Sequence, residues 1–168
     1  MVTDSDLLRL SVSLGRHLLS ADARVTTAES CTGGWIARCI TDVPGSSQWF
    51  DAGYVVYSDQ AKHRELGVDL ATLEREGAVS EPVVREMARG ALEKTGAQLA
   101  IAVSGIAGPS GAVTGKPVGT VWFGVAYRRG QAIEETARLK LFKGDREAVR
   151  RKAVQFGLKL LLDVPFIQ

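Results

Sequence analysis

A short, uninterrupted apolar run in the second half of the chain constrains the fold more than any other feature. Residues 99–103 read Leu-Ala-Ile-Ala-Val, and Gly96 and Gly105 bound the run. A strand without polar alternation is typical of a sheet that helices cover on both faces. We therefore expect residues 99–103 to form a central strand between two helical layers.

Helical and strand patterns surround this run. A first amphipathic helix is predicted from a cap at Thr3 to about Leu19. Its leucines recur at helical spacing: Leu7, Leu10, Leu14 and Leu18. The other predicted strands are residues 24–29, 49–57, 118–127 and 133–142, and the other predicted helices begin near residues 32, 58, 71, 83 and 145. The last helix is expected to bury Val149, Ala153, Phe156 and Leu160.

The order of these elements predicts the fold class. Strands separated by helices are expected to be parallel, whereas the last two strands flank Arg128, Arg129 and Gly130 and read as a hairpin. The prediction is an α/β fold of three layers, α/β/α, with a mixed five-stranded sheet. No repeat or linker divides the chain, so residues 1–168 are interpreted as one domain.

Composition excludes several classes of protein. The net charge is only +2 and charges of both signs are interleaved, so we expect no nucleic-acid partner. The apolar runs are far shorter than the roughly 20 residues of a membrane span, so we expect no membrane association. The amino terminus carries Thr3, Asp4 and Asp6 and lacks the basic segment of a secretory signal, which predicts a cytoplasmic protein.

The cysteines and histidines are few. Cys31 and Cys39 would point to different faces of a helix, so we predict no disulfide between them. Two cysteines and two scattered histidines are also a poor zinc set, and we expect no metal site.

The segment AESCTGG, residues 28–34, places Ser30 between a strand and a helix that glycines open. Backbone N–H groups at a helix start lack internal partners, and they can hold an oxyanion or a phosphate beside the hydroxyl. The candidate donors are those of Cys31, Thr32, Gly33 and Gly34. The alternative is that Ser30 or Thr32 only caps the helix.

Residues 57–62 contain a candidate general base for Ser30. Tyr57 ends a strand, and Lys62 lies one turn into the next helix. A lysine acts as a base when burial or a nearby cation lowers its pKa from about 10.4. The alternatives are that Lys62 is a solvated surface charge, or that His63 or His17 is the base.

Two further segments have the composition of ligand-binding elements. A glycine-rich stretch begins at Ser104 and Gly105 and continues past Lys116, and it is not a P-loop because a strand follows it. It either lets backbone approach a ligand or is simply a long connection. Arg146 and Arg150 lie one turn apart at a helix start, and they predict either an anion site or an exposed basic face.

Together these segments resemble the CinA carboxy-terminal-domain family, whose stand-alone members are nicotinamide-nucleotide amidases. The similarity covers roughly residues 7–161. The family's signatures follow one another in order: AESCTGG, VPGSS, YS..AK, GAVS, GIAGP, KPVGTV and F.GDR. The amino-terminal domain that many members carry is absent from this sequence, so we do not expect the activity of that domain.

The resemblance implies an activity and roles for particular residues. It implies hydrolysis of nicotinamide mononucleotide to nicotinate mononucleotide and ammonia, with neither metal nor organic cofactor. Ser30 matches the family's nucleophile, Lys62 matches its base, and Tyr57 is expected to relay a proton or to orient Lys62. Ser104 and Gly105 are expected in the substrate site, and the phosphate is expected to bind Arg146, Lys116 or the glycine loops.

Two hypotheses from other classes stay open. A regulatory domain would bind the nucleotide through the same loops without turnover. A homo-oligomeric scaffold would associate through the strand surface of Trp122 and Phe123. For the enzyme itself, a homodimer or a higher homo-oligomer also stays open, because nothing in the sequence decides the oligomeric state.

Overall fold

The computed structural model describes residues 2–165. The helices are α1 (Asp4–Ser20), α2 (Trp35–Thr41), α3 (Asp59–Leu66), α4 (Leu70–Glu76), α5 (Glu81–Thr95) and α6 (Arg146–Leu162). The strands are β1 (Val25–Glu29), β2 (Phe50–Val55), β3 (Leu99–Gly105), β4 (Thr120–Arg129) and β5 (Ala132–Leu141). Among these residues, no helix is both long enough and apolar enough to cross a membrane.

The five strands form one mixed sheet in the order β2-β1-β3-β4-β5. β1 is parallel to β2 and to β3, and β4 is antiparallel to β3 and to β5. The prediction of a mixed sheet with residues 99–103 in its central strand is confirmed. Glu29 lies level with Val55 of β2 and with Val103 of β3, so the carboxyl ends of the three parallel strands meet at one edge.

The apolar side chains of β3 contribute to the hydrophobic clusters on both faces of the sheet. Leu99, Ile101 and Val103 belong to the hydrophobic cluster under α1, α2 and α6. Ala100 and Ala102 face the opposite cluster, which α5 dominates. The small residues let α5 approach the sheet, and a Cβ at Gly124 of β4 would lie 2.2 Å from the Val84 carbonyl oxygen. The small side chains on the α5 face therefore allow the backbone of α5 to lie close to the sheet.

The capping residues predicted for α1 and α3 are confirmed. Thr3 caps α1 in a capping box with Asp6. Ser58 caps α3 by accepting a hydrogen bond from the Ala61 N–H, and Gly67 ends this helix in the left-handed conformation. These two residues set where α3 begins and ends.

The prediction for α6 is wrong in part. Val149 and Ala153 are buried as expected, but Phe156 and Leu160 are only half-buried, whereas Leu158 and Leu161 fill the core. The buried stripe turns away from Phe156 because α6 packs over β3 and β4, so Phe156 lies against the ring of Phe123 and beneath Lys140 of β5.

The hairpin turn is also shorter than predicted, because the strands extend to Arg129 and Ala132.

The strand surface suggested for a scaffold is not free. Phe123 is fully buried and contacts the rings of Phe142 and Phe156. Trp122 lies on the other face of β4, half-buried against the α5 cluster. Phe123 is therefore not available for association, because neighbouring side chains of the same chain cover it.

Candidate active site

Several of the predicted site residues lie at the carboxyl edge of the parallel strands. Ser30 directly follows β1, and its N–H donates to the Val103 carbonyl of β3. Tyr57 lies two residues beyond β2, and Ser104 lies near the end of β3. In open α/β sheets, this edge is where ligands bind.

Ser30 and Lys62 form a buried pair at this edge. The Lys62 Nζ lies 3.3 Å from the Ser30 Oγ, although the residues are 32 positions apart. Lys62 is 1% exposed and Ser30 is 8% exposed. Lys62 and Leu66 are the buried residues of α3, so a lysine occupies a core-facing position of this short helix. The alternative that Lys62 is a solvated surface charge is therefore wrong.

Two other oxygens lie close to the Lys62 ammonium group. It donates a hydrogen bond to the Tyr57 carbonyl oxygen at 3.0 Å, and an Asp59 carboxylate oxygen lies 3.8 Å away. Burial lowers the pKa of Lys62, and the negative charge of Asp59 acts in the opposite direction. Burial is the larger effect, so the pKa of Lys62 lies below its usual range and the neutral amine is easier to form.

A neutral lysine amine has two N–H donors and one lone pair. The Tyr57 carbonyl accepts from one donor, which orients the amine. The lone pair is then available to the Ser30 hydroxyl, and the observed separation is compatible with a hydrogen bond in either direction. A serine hydroxyl and a neutral amine at this separation can act as a nucleophile and a general base.

Neither the thiol beside Ser30 nor the histidines compete for these roles. Burial raises the pKa of the Cys31 thiol to about 12, so this thiol is protonated at neutral pH. His17 contacts the Ser13 carbonyl and His63 contacts the Val68 carbonyl, and neither ring hydrogen-bonds to Ser30. Cys31 and Cys39 are free and buried.

The first N–H groups of α2 already have a partner. The Glu29 carboxylate, fully buried, accepts hydrogen bonds from the N–H groups of Ile36 at 3.0 Å and Ala37 at 2.8 Å. Such capping by a carboxylate satisfies donors that the helix leaves free and suits the helix dipole. The N–H groups of Ile36 and Ala37 are therefore not available to a ligand, and the predicted donors, residues 31–34, lie before α2.

The free donors belong instead to the β1–α2 turn, residues 30–34. The Gly33 N–H donates to the Ser30 carbonyl at 3.0 Å. The N–H groups of Cys31, Thr32 and Gly34 donate to no acceptor in another described residue. Those of Cys31 and Thr32 directly follow the hydroxyl-bearing residue and are the natural candidates for oxyanion donors.

Arg150 and Arg146 both lie on the first turns of α6, but their side chains contact different parts of the site. Arg150 is half-buried against the β1–α2 turn, where its Nε donates to the Cys31 carbonyl and its Nη2 to the Thr32 carbonyl, each at 3.0 Å. Arg146 is exposed and donates to the Gly108 carbonyl at 2.8 Å and to the Tyr57 hydroxyl at 3.1 Å. Arg146 is the more exposed of the two, whereas Arg150 lines a cavity beside Gly33, Gly34 and Trp35.

Tyr57 and Ser104 contribute different parts. The Tyr57 side chain is 61% exposed, and its hydroxyl contacts Arg146 rather than Ser30 or Lys62. Its carbonyl is the group that contacts the lysine, so the structure favours orientation of Lys62 over proton relay. Ser104 is buried on the face of the sheet where Ala102 lies, and its hydroxyl hydrogen-bonds to no described residue.

Gly105 and Lys116 serve the packing of the loop. A Cβ at Gly105 would lie 2.7 Å from a methyl group of Val121, so the close approach of β4 already requires glycine there. The Lys116 Nζ donates to the Glu76 carbonyl at 2.7 Å, at the end of α4. No hydrogen bond joins Lys116 to Ser30 or Lys62, which makes Lys116 an anchor of the loop.

Sequence reasoning missed Glu29 and Asp59. Glu29 carried a weak signal, since it is an acidic residue at the end of a β-branched strand and just before a glycine-opened helix. Asp59 had no signal of its own beyond a helix-capping position. Within residues 2–165, no three His, Cys, Asp or Glu side chains come together as a metal site.

Comparisons with known proteins identify similar sequences and a similar solved structure. The model of the CinA C-terminal domain family matches residues 8–164. The nicotinamide-nucleotide amidohydrolase PncC of Escherichia coli (strain K12) is 54% identical over 160 residues, which are 95% of this chain and 95% of that protein. PncC of Pseudomonas putida is 53% identical over 155 residues, 92% of this chain and 94% of that protein. A crystal structure of a CinA superfamily protein from Escherichia coli superposes with a TM-score of 0.89 at 40% identity, covering 96% of this chain and 92% of that one.

Proposed function

The chain belongs to the CinA C-terminal domain family, and from this premise we propose that it is a nicotinamide-nucleotide amidohydrolase with a serine nucleophile and a lysine base. The observation that carries the proposal is the buried Ser30–Lys62 pair at 3.3 Å. The amidohydrolase activity named for the PncC relatives needs an activated nucleophile, and this pair supplies one. We propose nicotinamide mononucleotide as the substrate.

The first step forms a bond to the carboxamide carbon. Neutral Lys62 takes the proton of the Ser30 hydroxyl while the Ser30 Oγ attacks that carbon. The carbonyl oxygen becomes an oxyanion, and the N–H groups of Cys31 and Thr32 stabilise it. Lys62 is now an ammonium group, which Asp59 and the Tyr57 carbonyl stabilise.

The second step breaks the carbon–nitrogen bond. Lys62 returns its proton to the departing nitrogen, ammonia leaves, and an ester of Ser30 with the pyridine carboxylate remains. A water molecule then attacks the ester carbon and gives its proton to Lys62, which passes it to the Ser30 oxygen. The products are nicotinate mononucleotide and ammonia, and Ser30 and Lys62 return to their starting forms.

Arg146 is the proposed contact for the phosphate group. It is exposed at the same sheet edge, and it spans from the Gly108 carbonyl to the Tyr57 hydroxyl with further N–H donors remaining. A guanidinium group binds phosphate by charge-assisted hydrogen bonds. Two free thiols fit a reducing compartment, and we propose a cytoplasmic location.

The test is ammonia release by the purified protein from three substrates at equal concentration. We expect turnover of nicotinamide mononucleotide, at least about tenfold less of nicotinamide riboside, and least of free nicotinamide, because the last two lack the phosphate. Arg146→Ala should lower the preference for the nucleotide over the riboside. Equal rates on nucleotide and riboside would refute the phosphate site. Binding of the nucleotide without ammonia release would support a regulatory domain instead.

A further inference from the structure

We propose that Arg150 is a positioning residue that fixes the Thr32 N–H as an oxyanion donor, an inference that rests on the proposed function. Its side chain comes from α6, more than a hundred positions away in sequence, and it holds two consecutive carbonyl groups of the β1–α2 turn. No charged side chain other than Arg150 makes a hydrogen bond to the backbone of residues 30–34 in the described part of the chain.

The geometry of the peptide unit connects Arg150 to the donor. The Cys31–Thr32 peptide is trans, so its carbonyl and its N–H point in opposite directions. Because Arg150 Nε holds the Cys31 carbonyl, the Thr32 N–H must point away from Arg150. The Thr32 N–H donates to no other described residue, so it is available to donate to a bound ligand atom.

The neighbouring peptide units are held as well. Arg150 Nη2 binds the Thr32 carbonyl, and the N–H of that same unit, on Gly33, donates to the Ser30 carbonyl. The Gly33 contact in turn fixes the Ser30–Cys31 unit, whose N–H is the other oxyanion donor. Two donors in the fixed fork of a guanidinium therefore define the orientation of the whole turn.

Arg151 provides a matched control on the same helix. Both guanidinium groups lie over the Trp35 ring, Arg150 at 5.4 Å and Arg151 at 5.0 Å from its centre. Arg151 forms ion pairs with Asp4 and Glu147, and within the part of the chain that the structure describes it makes no hydrogen bond to residues 30–34. A variant of Arg151 therefore loses the same aromatic contact and the same charge without loss of the carbonyl contacts.

The experiment compares Arg150→Met, Arg150→Lys and Arg151→Met as full-length proteins. For each, kcat and KM for ammonia release from nicotinamide mononucleotide are measured, with the melting temperature as the control for folding. We expect both Arg150 variants to lose about 10- to 100-fold in kcat while KM stays within about threefold, because oxyanion donors act in the transition state. Arg150→Lys should not rescue, because an ammonium group lacks the planar fork. We expect Arg151→Met to keep kcat within about twofold, because Arg151 does not hold the carbonyl groups that orient the oxyanion donors.

Three results would overturn the inference. They are a near-normal kcat in Arg150→Met, full rescue by Arg150→Lys, and a loss of kcat in Arg151→Met equal to that in Arg150→Met. Full rescue by lysine would show that only the charge matters, and an equal loss in the control would show a general structural role. Absence of turnover in the unmodified protein would instead refute the proposed function, so the two failures are distinguishable.

Discussion

The β1–α2 turn and the glycine-rich loop, residues 106–119, lie at the same edge of the sheet but are built differently. In the turn, Ser30, Cys31 and Thr32 are buried, and each of their carbonyls accepts a hydrogen bond. In the loop, residues 109–115 are all exposed, and the two hydrogen bonds there join Val113 and Lys116 to each other. The turn is fixed by distant elements, whereas the middle of the loop is held mainly by itself.

This difference assigns different tasks to the two regions. A nucleophile and its oxyanion donors must keep their positions to within a fraction of an ångström, and buried, fully bonded backbone supplies that constancy. An exposed loop has lower local stability and adapts to a ligand more easily. We therefore expect changes in the turn to affect the chemical step and changes in the loop to affect binding.

The largest expected effect comes from the hydroxyl of the turn. Ser30→Ala should lower ammonia release by at least about a thousandfold, because it removes the attacking atom. Its fold should persist, since the lost hydrogen bond contributes about 1 kcal/mol. Cys31→Ala is the control and should keep most of the activity. The assignment is wrong if Cys31→Ala is inactive and Ser30→Ala is active.

Replacement of Lys62 should separate activity from stability. Lys62→Met should be as inactive as Ser30→Ala, yet its free energy of unfolding at neutral pH should rise by about 1 kcal/mol, because burial of the amine is unfavourable. The lowered pKa predicts that stability of the unmodified protein rises with pH between the folded-state pKa and the unfolded value of about 10.4, where the unfolded chain binds more protons. Denaturant titrations at several pH values should show this slope, and Lys62→Met should lack it.

A small effect is expected from the anchor of the loop. Lys116→Met removes one hydrogen bond to the Glu76 carbonyl and should cost about 0.5–1 kcal/mol of stability. We expect kcat to stay within about twofold and KM to rise by no more than about threefold, because no contact with the Ser30–Lys62 pair is lost. A hundredfold loss of kcat would remove the distinction between the turn and the loop.

The sequence predicted what depends on local patterns. The apolar run of residues 99–103 and the caps at Thr3 and Ser58 determine the layers and the helix starts, and the structure confirms these elements. The position of Ser30 between strand and helix was also visible in the sequence. Burial of Lys62 was not, because a short polar helix has no apolar stripe that marks its inner face.

Contacts across long sequence separations had no local signal. Arg150 reads as part of a basic helix start, and only the packing of α6 against the turn brings it to the Cys31 and Thr32 carbonyls. Glu29 likewise has the sequence pattern of a strand residue, although its carboxylate caps the first turn of α2. Both roles depend on which elements pack together, and that arrangement is a tertiary property.

The pH dependence of kcat tests most directly whether a neutral, buried Lys62 activates Ser30. We predict that activity rises with pH as the Lys62 ammonium group loses its proton, with an apparent pKa below the usual lysine value of about 10.4. Asp59→Asn removes the negative charge that raises the pKa of Lys62, so the increase in activity should occur at lower pH. His63→Ala should not change the pH at which activity increases. The Cys31 thiol, the other titratable group acting on Lys62, stays protonated across this range. A rise that disappears in His63→Ala, or that moves to higher pH in Asp59→Asn, would contradict the assignment of Lys62 as the base.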